Sequence, residues 1–197
     1  MPAKREGIEW FGIAGRGILI VGPKGAGKTT TALTLAARGH DFFGDELAAV
    51  HCTSKALLPF RRAVSIRAGP RARQVEDCLV HVQCALERFP DGSARTLIDI
   101  GRLFPQAGVS PTSLSCVLFL RQFAKQPLAQ RFTFGLRHFP MLSPLACSMW
   151  GVPAGARIVD VSRLLHHAEC YLLDVGEPDE TADLIERIAC GITSFGD

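Results

Sequence analysis

The nine residues Gly22, Pro23, Lys24, Gly25, Ala26, Gly27, Lys28, Thr29 and Thr30 constrain this chain more than any other stretch. They follow an apolar run at residues 17–21 that reads as a short buried strand. They precede Thr31, Ala32, Leu33, Thr34, Leu35, Ala36 and Ala37, which read as a helix. This is the spacing G-x-x-x-x-G-K-[ST] in the strand–loop–helix context that a phosphate-binding loop requires. Glycines let successive backbone N–H groups turn inward around an anion, and the helix N-terminus adds partial positive charge. Lys28 can reach the outer phosphates, and the Thr29 hydroxyl is placed to ligate Mg²⁺. The stretch therefore predicts binding of a nucleoside triphosphate.

The rest of the composition excludes more than it adds. A chain of 197 residues has room for one domain with a proper buried core, so residues 1–197 are expected to form a single α/β unit. A formal charge of +3 gives no ground for a nucleic-acid partner. The basic residues Arg61, Arg62, Arg67, Arg71 and Arg73 cluster, and without the phosphate loop they would read as a solvated loop. The seven cysteines form no C-x-x-C pair, and Cys116 and Cys170 sit inside apolar runs. They read as reduced core residues of a cytoplasmic protein. The start of the chain carries no signal-peptide pattern, and no run approaches the ~20 apolar residues that cross a bilayer, so no membrane partner is expected. His166 and His167 stand without a carboxylate at metal spacing and read as helix surface.

Taken in order, residues 8–14 and 17–21 predict a hairpin about the turn at Gly15 and Arg16. The helix after the loop should run to Arg38, with Gly39 supplying the left-handed residue that ends it. Residues 40–43 and 47–50 read as strands. Residues 56–66 read as one returning strand with Pro59 at an edge or bulge. Residues 74–89 carry Val75, Cys78, Leu79, Val82, Ala85 and Leu86 on one helical stripe. Residues 96–100 predict a strand, 101–113 a loop and 115–120 the most apolar strand of the second half. Residues 127–139 and 143–150 read as helices, 156–161 as a strand, 162–168 as a short helix and 170–175 as a last strand. A helix over 181–189 closes the chain, with Pro178 and acids where a helix N-terminus favours them.

Asp45 and Glu46 carry most of the chemical argument. They stand 17 residues beyond Lys28, on the strand that follows the loop's helix. That strand commonly packs near the loop, which brings carboxylates on it close to a bound γ-phosphate. Phosphoryl transfer needs a clamped phosphate, a metal and an acceptor oxygen held in line. A carboxylate there can take the acceptor's proton or hold Mg²⁺ through water. Adjacent acids on a regular strand point to opposite faces, so either the two do different jobs or Glu46 matters less. Read without the loop, the pair would be a polar turn between strands. Asp99, after the short run Leu97-Ile98, is a weaker candidate for a metal-side acid.

The run from Arg16 to Leu33, followed by Arg38-Gly39-His40-Asp41-Phe42-Phe43-Gly44-Asp45-Glu46, resembles the catalytic core of HPr kinase/phosphorylase and its HPr serine kinase-like relatives. That family is similar in fold to the ATP-dependent phosphoenolpyruvate carboxykinases. The segment Leu58-Pro59-Phe60-Arg61-Arg62-Ala63-Val64-Ser65-Ile66-Arg67 is similar to the proline-aromatic-arginine strand that follows in the family. The match covers about residues 15–67. The resemblance implies a P-loop kinase domain of the HPr kinase/phosphoenolpyruvate carboxykinase type, a mixed sheet flanked by helices. It implies Mg²⁺-dependent transfer of phosphate from ATP to a hydroxyl, typically a serine of a protein or peptide. In that picture Lys28 and Thr29 handle phosphates and Mg²⁺, Asp45 is the base, Glu46 assists with metal, and Arg62 or Arg67 stabilises charge on the transferred group. The chain departs from the family where Gly7 stands in place of a histidine before the loop. It departs again where Glu46 stands in place of a second aspartate, and where the Glu-Ile-Arg-Gly stretch of the bifunctional enzymes has no counterpart. These departures point away from phosphorylase activity and towards an acceptor other than HPr.

Two other readings share the loop. Small-molecule kinases of the shikimate or nucleotide type also place an acid on the next strand, but usually with a late arginine-rich lid, for which Arg131 and Arg137 are sparse. A non-catalytic ATP-binding accessory protein would account for Gly7 and Glu46. The acceptor is thus expected among proteins, peptides or small molecules, and homo-oligomer formation is compatible with the sequence.

Overall fold

A computed structural model of the chain describes residues 6–45, 49–51, 54, 56–61, 63–66, 84–89, 92, 94–135, 137–138 and 154–192. Eleven strands and four helices lie within them. The hairpin at the start is formed by β1 (Glu6–Ile13) and β2 (Arg16–Pro23), which pair antiparallel across the turn at Ala14 and Gly15. After α1 (Lys28–Ala37) the chain returns as β3 (Asp41–Asp45), antiparallel on the far side of β1. Gly39, at φ +88°, makes the reversal between them, a conformation that favours glycine.

The second half supplies the remaining core strands. β9 (Thr112–Phe123) lies parallel to β2 and β11 (Glu169–Val175) lies parallel to β9, while β10 (Leu128–Phe132) closes the edge antiparallel to β11. The main sheet therefore runs β10-β11-β9-β2-β1-β3, with β5 (Ala56–Leu58) joined to the start of β9 and to β4 (Ala49–Val50). A smaller sheet holds β6 (Val64–Ile66), β8 (Ala94–Ile98) and β7 (Ala85–Arg88) in that order.

The middle stretches of β2, β9 and β11 are apolar because both sheet faces are covered there. Ile18 and Ile20 of β2, Cys116, Leu118 and Leu120 of β9, and Tyr171 and Leu173 of β11 enter one core. The same core takes Ala32, Leu35 and Ala36 of α1, and Ala182, Ile185 and Ile188 of α4 (Pro178–Ala189). Leu19, Val21, Val117, Phe119 and Cys170 enter the other, where Val161, Leu164 and Leu165 of α3 (Ala154–His166) pack. This strict alternation is the period-two signature of a strand. Burial also pushes the Cys170 thiol up to about 11, so it stays protonated as a small apolar group. Arg38, at the end of α1, bonds Asp179, Asp183 and Glu186 of α4 at 2.9, 2.6 and 3.1 Å, tying the two helices together. No helix among the described residues is long and apolar enough to cross a membrane.

A mixed α/β sheet flanked by helices agrees with the expectation, but several elements differ. Residues 85–88, expected to end a helix, form β7, a hairpin partner of β8 with Gly92 at φ +81° in the turn and Glu87 bonded to Arg95 at 2.6 Å. Cross-strand pairing there overrides a helical stripe, most of which (residues 74–83) lies outside the described residues. Residues 56–66 make two strands in different sheets, because the chain leaves one sheet at Pro59. Residues 128–132 are strand β10, with Ala129 buried between exposed Leu128 and Gln130, the alternation of an edge strand. The expected strand at 156–161 and helix at 162–168 are one helix, α3. Its inward residues Val161, Leu164 and Leu165 follow the helical period. The loop expected at 101–113 begins with a short helix, α2 (Ile100–Leu103), capped by Asp99, which accepts from the Gly101 N–H at 2.9 Å. The expected helix at 143–150 lies outside the described residues.

Candidate functional site

β2 delivers the chain to the phosphate loop from the middle of the sheet. Gly22 is buried, and a Cβ there would lie 2.9 Å from the Cβ of Leu120 on β9, so only glycine lets the two strands close. The loop then tightens through an Ala26 N–H bond to the Pro23 carbonyl at 3.1 Å. Gly25 and Gly27 sit at φ +86° and +94°, in the left-handed region. Gly27 is also the N-cap of α1. It has no side chain to offer the helix, and no acid stands in the first turn. Neither a side-chain cap nor a first-turn acid of α1 itself therefore offsets the dipole at this helix N-terminus.

Lys28 is nine-tenths buried and folds back over the loop. Its Nζ donates to the carbonyls of Gly22 at 2.9 Å and Pro23 at 3.0 Å. The ammonium is therefore held by carbonyls of the loop itself. Thr29, the next residue, donates its hydroxyl to Oε1 of Glu9 at 2.7 Å. Glu9 is only 1% exposed and lies on β1, in register with Ile20 of β2 on one side and Asp45 of β3 on the other. Residues directly opposite in an antiparallel pair share a face, so Glu9 and Asp45 are neighbours on the α1 side of the sheet. The site thus assembles a glycine loop, a helix N-terminus, an ammonium, a hydroxyl and two carboxylates from three adjacent strands and one helix.

Glu9 is the residue that sequence reasoning missed. The available signal was a single acid inside the otherwise apolar strand 8–13, which pairs with the loop's own strand. Gly7, where the chain departs from the family pattern, lies across from Gly22, and Glu9 is two residues further along the same strand. Asp45 is the last residue of β3. Glu46, Arg62 and Arg67 lie outside the described residues. Arg61, from the same basic cluster, is a brace: it donates to the carbonyls of Phe42 at 2.9 Å and of Ala107 and Gly108 at 2.6 Å each. Arg131 pairs with Glu169 at 3.0 Å on the sheet edge and Arg137 bonds His138 at 3.2 Å. Asp99 is an exposed helix cap.

Among the described residues, no three His, Cys, Asp or Glu side chains converge as a metal cage. The donor set at the loop is a hydroxyl and two carboxylates, all hard oxygens. That composition suits Mg²⁺, which binds through one or two carboxylates plus substrate phosphates. An open hollow of about 290 Å³ lined by Asp183, Glu186, Arg187, Cys190 and Ile192 lies elsewhere, at the C-terminal end of α4 and the residues after it. It adjoins the Arg38 end of α1, a helix length (~15 Å) from the loop.

No protein-family model matches the chain, and no curated protein matches it. Among solved structures the fold is similar to that of the HPr(Ser) kinase/phosphatase from Coxiella burnetii. The two share 15% sequence identity over 96% of this chain and 90% of that one, with a TM-score of 0.47.

Proposed function

We propose that this chain is an ATP-dependent kinase that transfers the γ-phosphate to a hydroxyl, foremost a serine of a protein or peptide. The observation that carries the reading is the placement of Asp45 beside Glu9, whose carboxylate holds the Thr29 hydroxyl of the phosphate loop. A triphosphate seated in the loop meets N–H groups at the start of α1 and the Lys28 ammonium, which together offset its charge. Thr29, with the carboxylates behind it, would hold Mg²⁺, which supplies further charge neutralisation at the β- and γ-phosphates. Asp45 accepts the acceptor hydroxyl's proton as the new O–P bond forms. The bond from the γ-phosphorus to the bridging oxygen breaks, and ADP leaves with that electron pair. In this proposal Glu46 assists with the metal, and Arg62 or Arg67 stabilises charge on the transferred group.

The reading is tested by incubating the protein with radiolabelled ATP, Mg²⁺ and a lysate of its source. A labelled macromolecule that disappears with Asp45→Asn, while nucleotide binding persists, supports it. Nucleotide binding without any labelling would replace it with a non-catalytic ATP-binding role. Labelling of a small molecule alone would favour the small-molecule kinase.

A further inference from the structure

We infer that Glu9 is the residue that makes this nucleotide site selective for the cation-bound triphosphate. The inference rests on the nucleotide-binding part of the proposed function and assigns a role to a residue outside the phosphate-loop pattern. A carboxylate on a central strand is costly to bury, and it persists only where partners or a ligand answer it. Glu9 is 1% exposed on β1, flanked in sequence by the buried Ile8 and Trp10, yet it spends one oxygen on the hydroxyl of Thr29 at 2.7 Å. That hydroxyl is the one oxygen ligand a phosphate loop offers a divalent cation.

The direction of the hydrogen bond matters. With its proton committed to Glu9, the Thr29 oxygen turns lone pairs away from the strand, the orientation needed to ligate a cation. The charge matters separately. Glu9 sits with Asp45 on the loop side of the sheet, opposite in sign to Lys28 and the helix N-terminus. These carboxylates repel a bare triphosphate more than one carrying Mg²⁺ or Mn²⁺, whose cation lowers its negative charge and can face them. Glu9 is thus a positioning residue: it acts on the cation through Thr29 and through its field. A buried glutamate serving only to anchor Thr29 to β1 would have no reason to distinguish the two forms of the nucleotide.

The test uses the full chain and a fluorescent ATP analogue, titrated once with excess EDTA and once with Mn²⁺, with direct Mn²⁺ binding followed by electron paramagnetic resonance. Glu9→Gln keeps an oxygen to accept from Thr29 and removes the charge. Its Mn²⁺ affinity in the presence of nucleotide should fall by roughly 10- to 100-fold, the size usual for groups behind a metal ligand. Its affinity for metal-free nucleotide should hold or rise. Thr29→Val, which leaves the glutamate in place, should also weaken Mn²⁺ binding. If Glu9→Gln shifts the EDTA and Mn²⁺ titrations together, or neither, Glu9 only braces the fold and the inference is overturned. If Thr29→Val retains wild-type Mn²⁺ affinity, the hydroxyl route is overturned. If the wild-type chain binds no nucleotide under either condition, the kinase reading falls, and this inference with it.

Discussion

Replacing Lys28 with methionine separates its two tasks. In the structure its ammonium is held by two carbonyls, at 2.9 and 3.0 Å, and the residue is 9% exposed. Removing the charge gives up those bonds but also relieves the burial of an ion, so the two effects on folding oppose one another. The net change should stay within about 1 kcal/mol. For a chain of this size that is a Tm shift of at most ~4 °C. Binding has no such offset. A charged hydrogen bond to phosphate contributes about 1.5–3 kcal/mol, which corresponds to a loss of roughly 10- to 150-fold in nucleotide affinity. Titration calorimetry with ATP and thermal unfolding of the same samples give both numbers. A Lys28→Met variant that folds and binds ATP as tightly as wild type would refute the reasoning, since Lys28 would then serve the loop carbonyls and not the ligand. A variant that simply unfolds would show that those carbonyl bonds outweigh the buried charge.

Three further outcomes are expected. Gly44→Ala should destabilise the chain by about 1–3 kcal/mol through overpacking, because a Cβ there would lie 2.6 Å from Trp10 Nε1 and 2.8 Å from the Phe60 carbonyl; the drop in denaturation midpoint measures it, and an unchanged midpoint refutes it. Asp174, 5% exposed, is held below the usual carboxylate range by hydrogen bonds from Arg121 at 2.7 and 2.5 Å, with Gln122 adding to them. A depressed folded-state pKa gives stability that is present above the unfolded value, near 3.8, and lost as the pH falls through the folded one. The stability gap between wild type and Asp174→Asn, read from urea midpoints, should therefore be full at pH 6 and close below pH ~4; a gap independent of pH would contradict it. Asp45→Asn should abolish transfer with nucleotide affinity changed by less than about fivefold, or ~1 kcal/mol, and a parallel loss of both would remove Asp45 as the base.

The parts of the candidate site that were legible in the chain are those built from neighbouring residues. Gly22 to Thr30 forms its turn, its left-handed glycines and its helix start from local backbone preference, and Gly39 ends that helix the same way. The apolar runs at residues 17–21, 115–120 and 170–175 are strands because only a strand covered on both faces buries so many consecutive apolar side chains. Local reasoning failed where pairing with a distant segment decides the conformation. Residues 85–88 and 128–132 are strands because β8 and β11 offer them unpaired edges, which no short window contains. Residues 154–166 form one helix because its inward stripe meets Phe132, Phe134 and the sheet.

The chemistry divides along the same line. The sequence by itself determined the conformation of the glycine loop and the helix start that carries Lys28 and Thr29, because backbone conformation over nine residues is a local property. Only the tertiary structure decided what stands behind the cradle. Glu9 lies 20 residues from Thr29 along the chain, and the hairpin register brings its carboxylate within 2.7 Å of the hydroxyl. The return of β3 sets Asp45 beside it. A shift of one residue in either pairing would send these carboxylates to the opposite face of the sheet, since side chains alternate at every step.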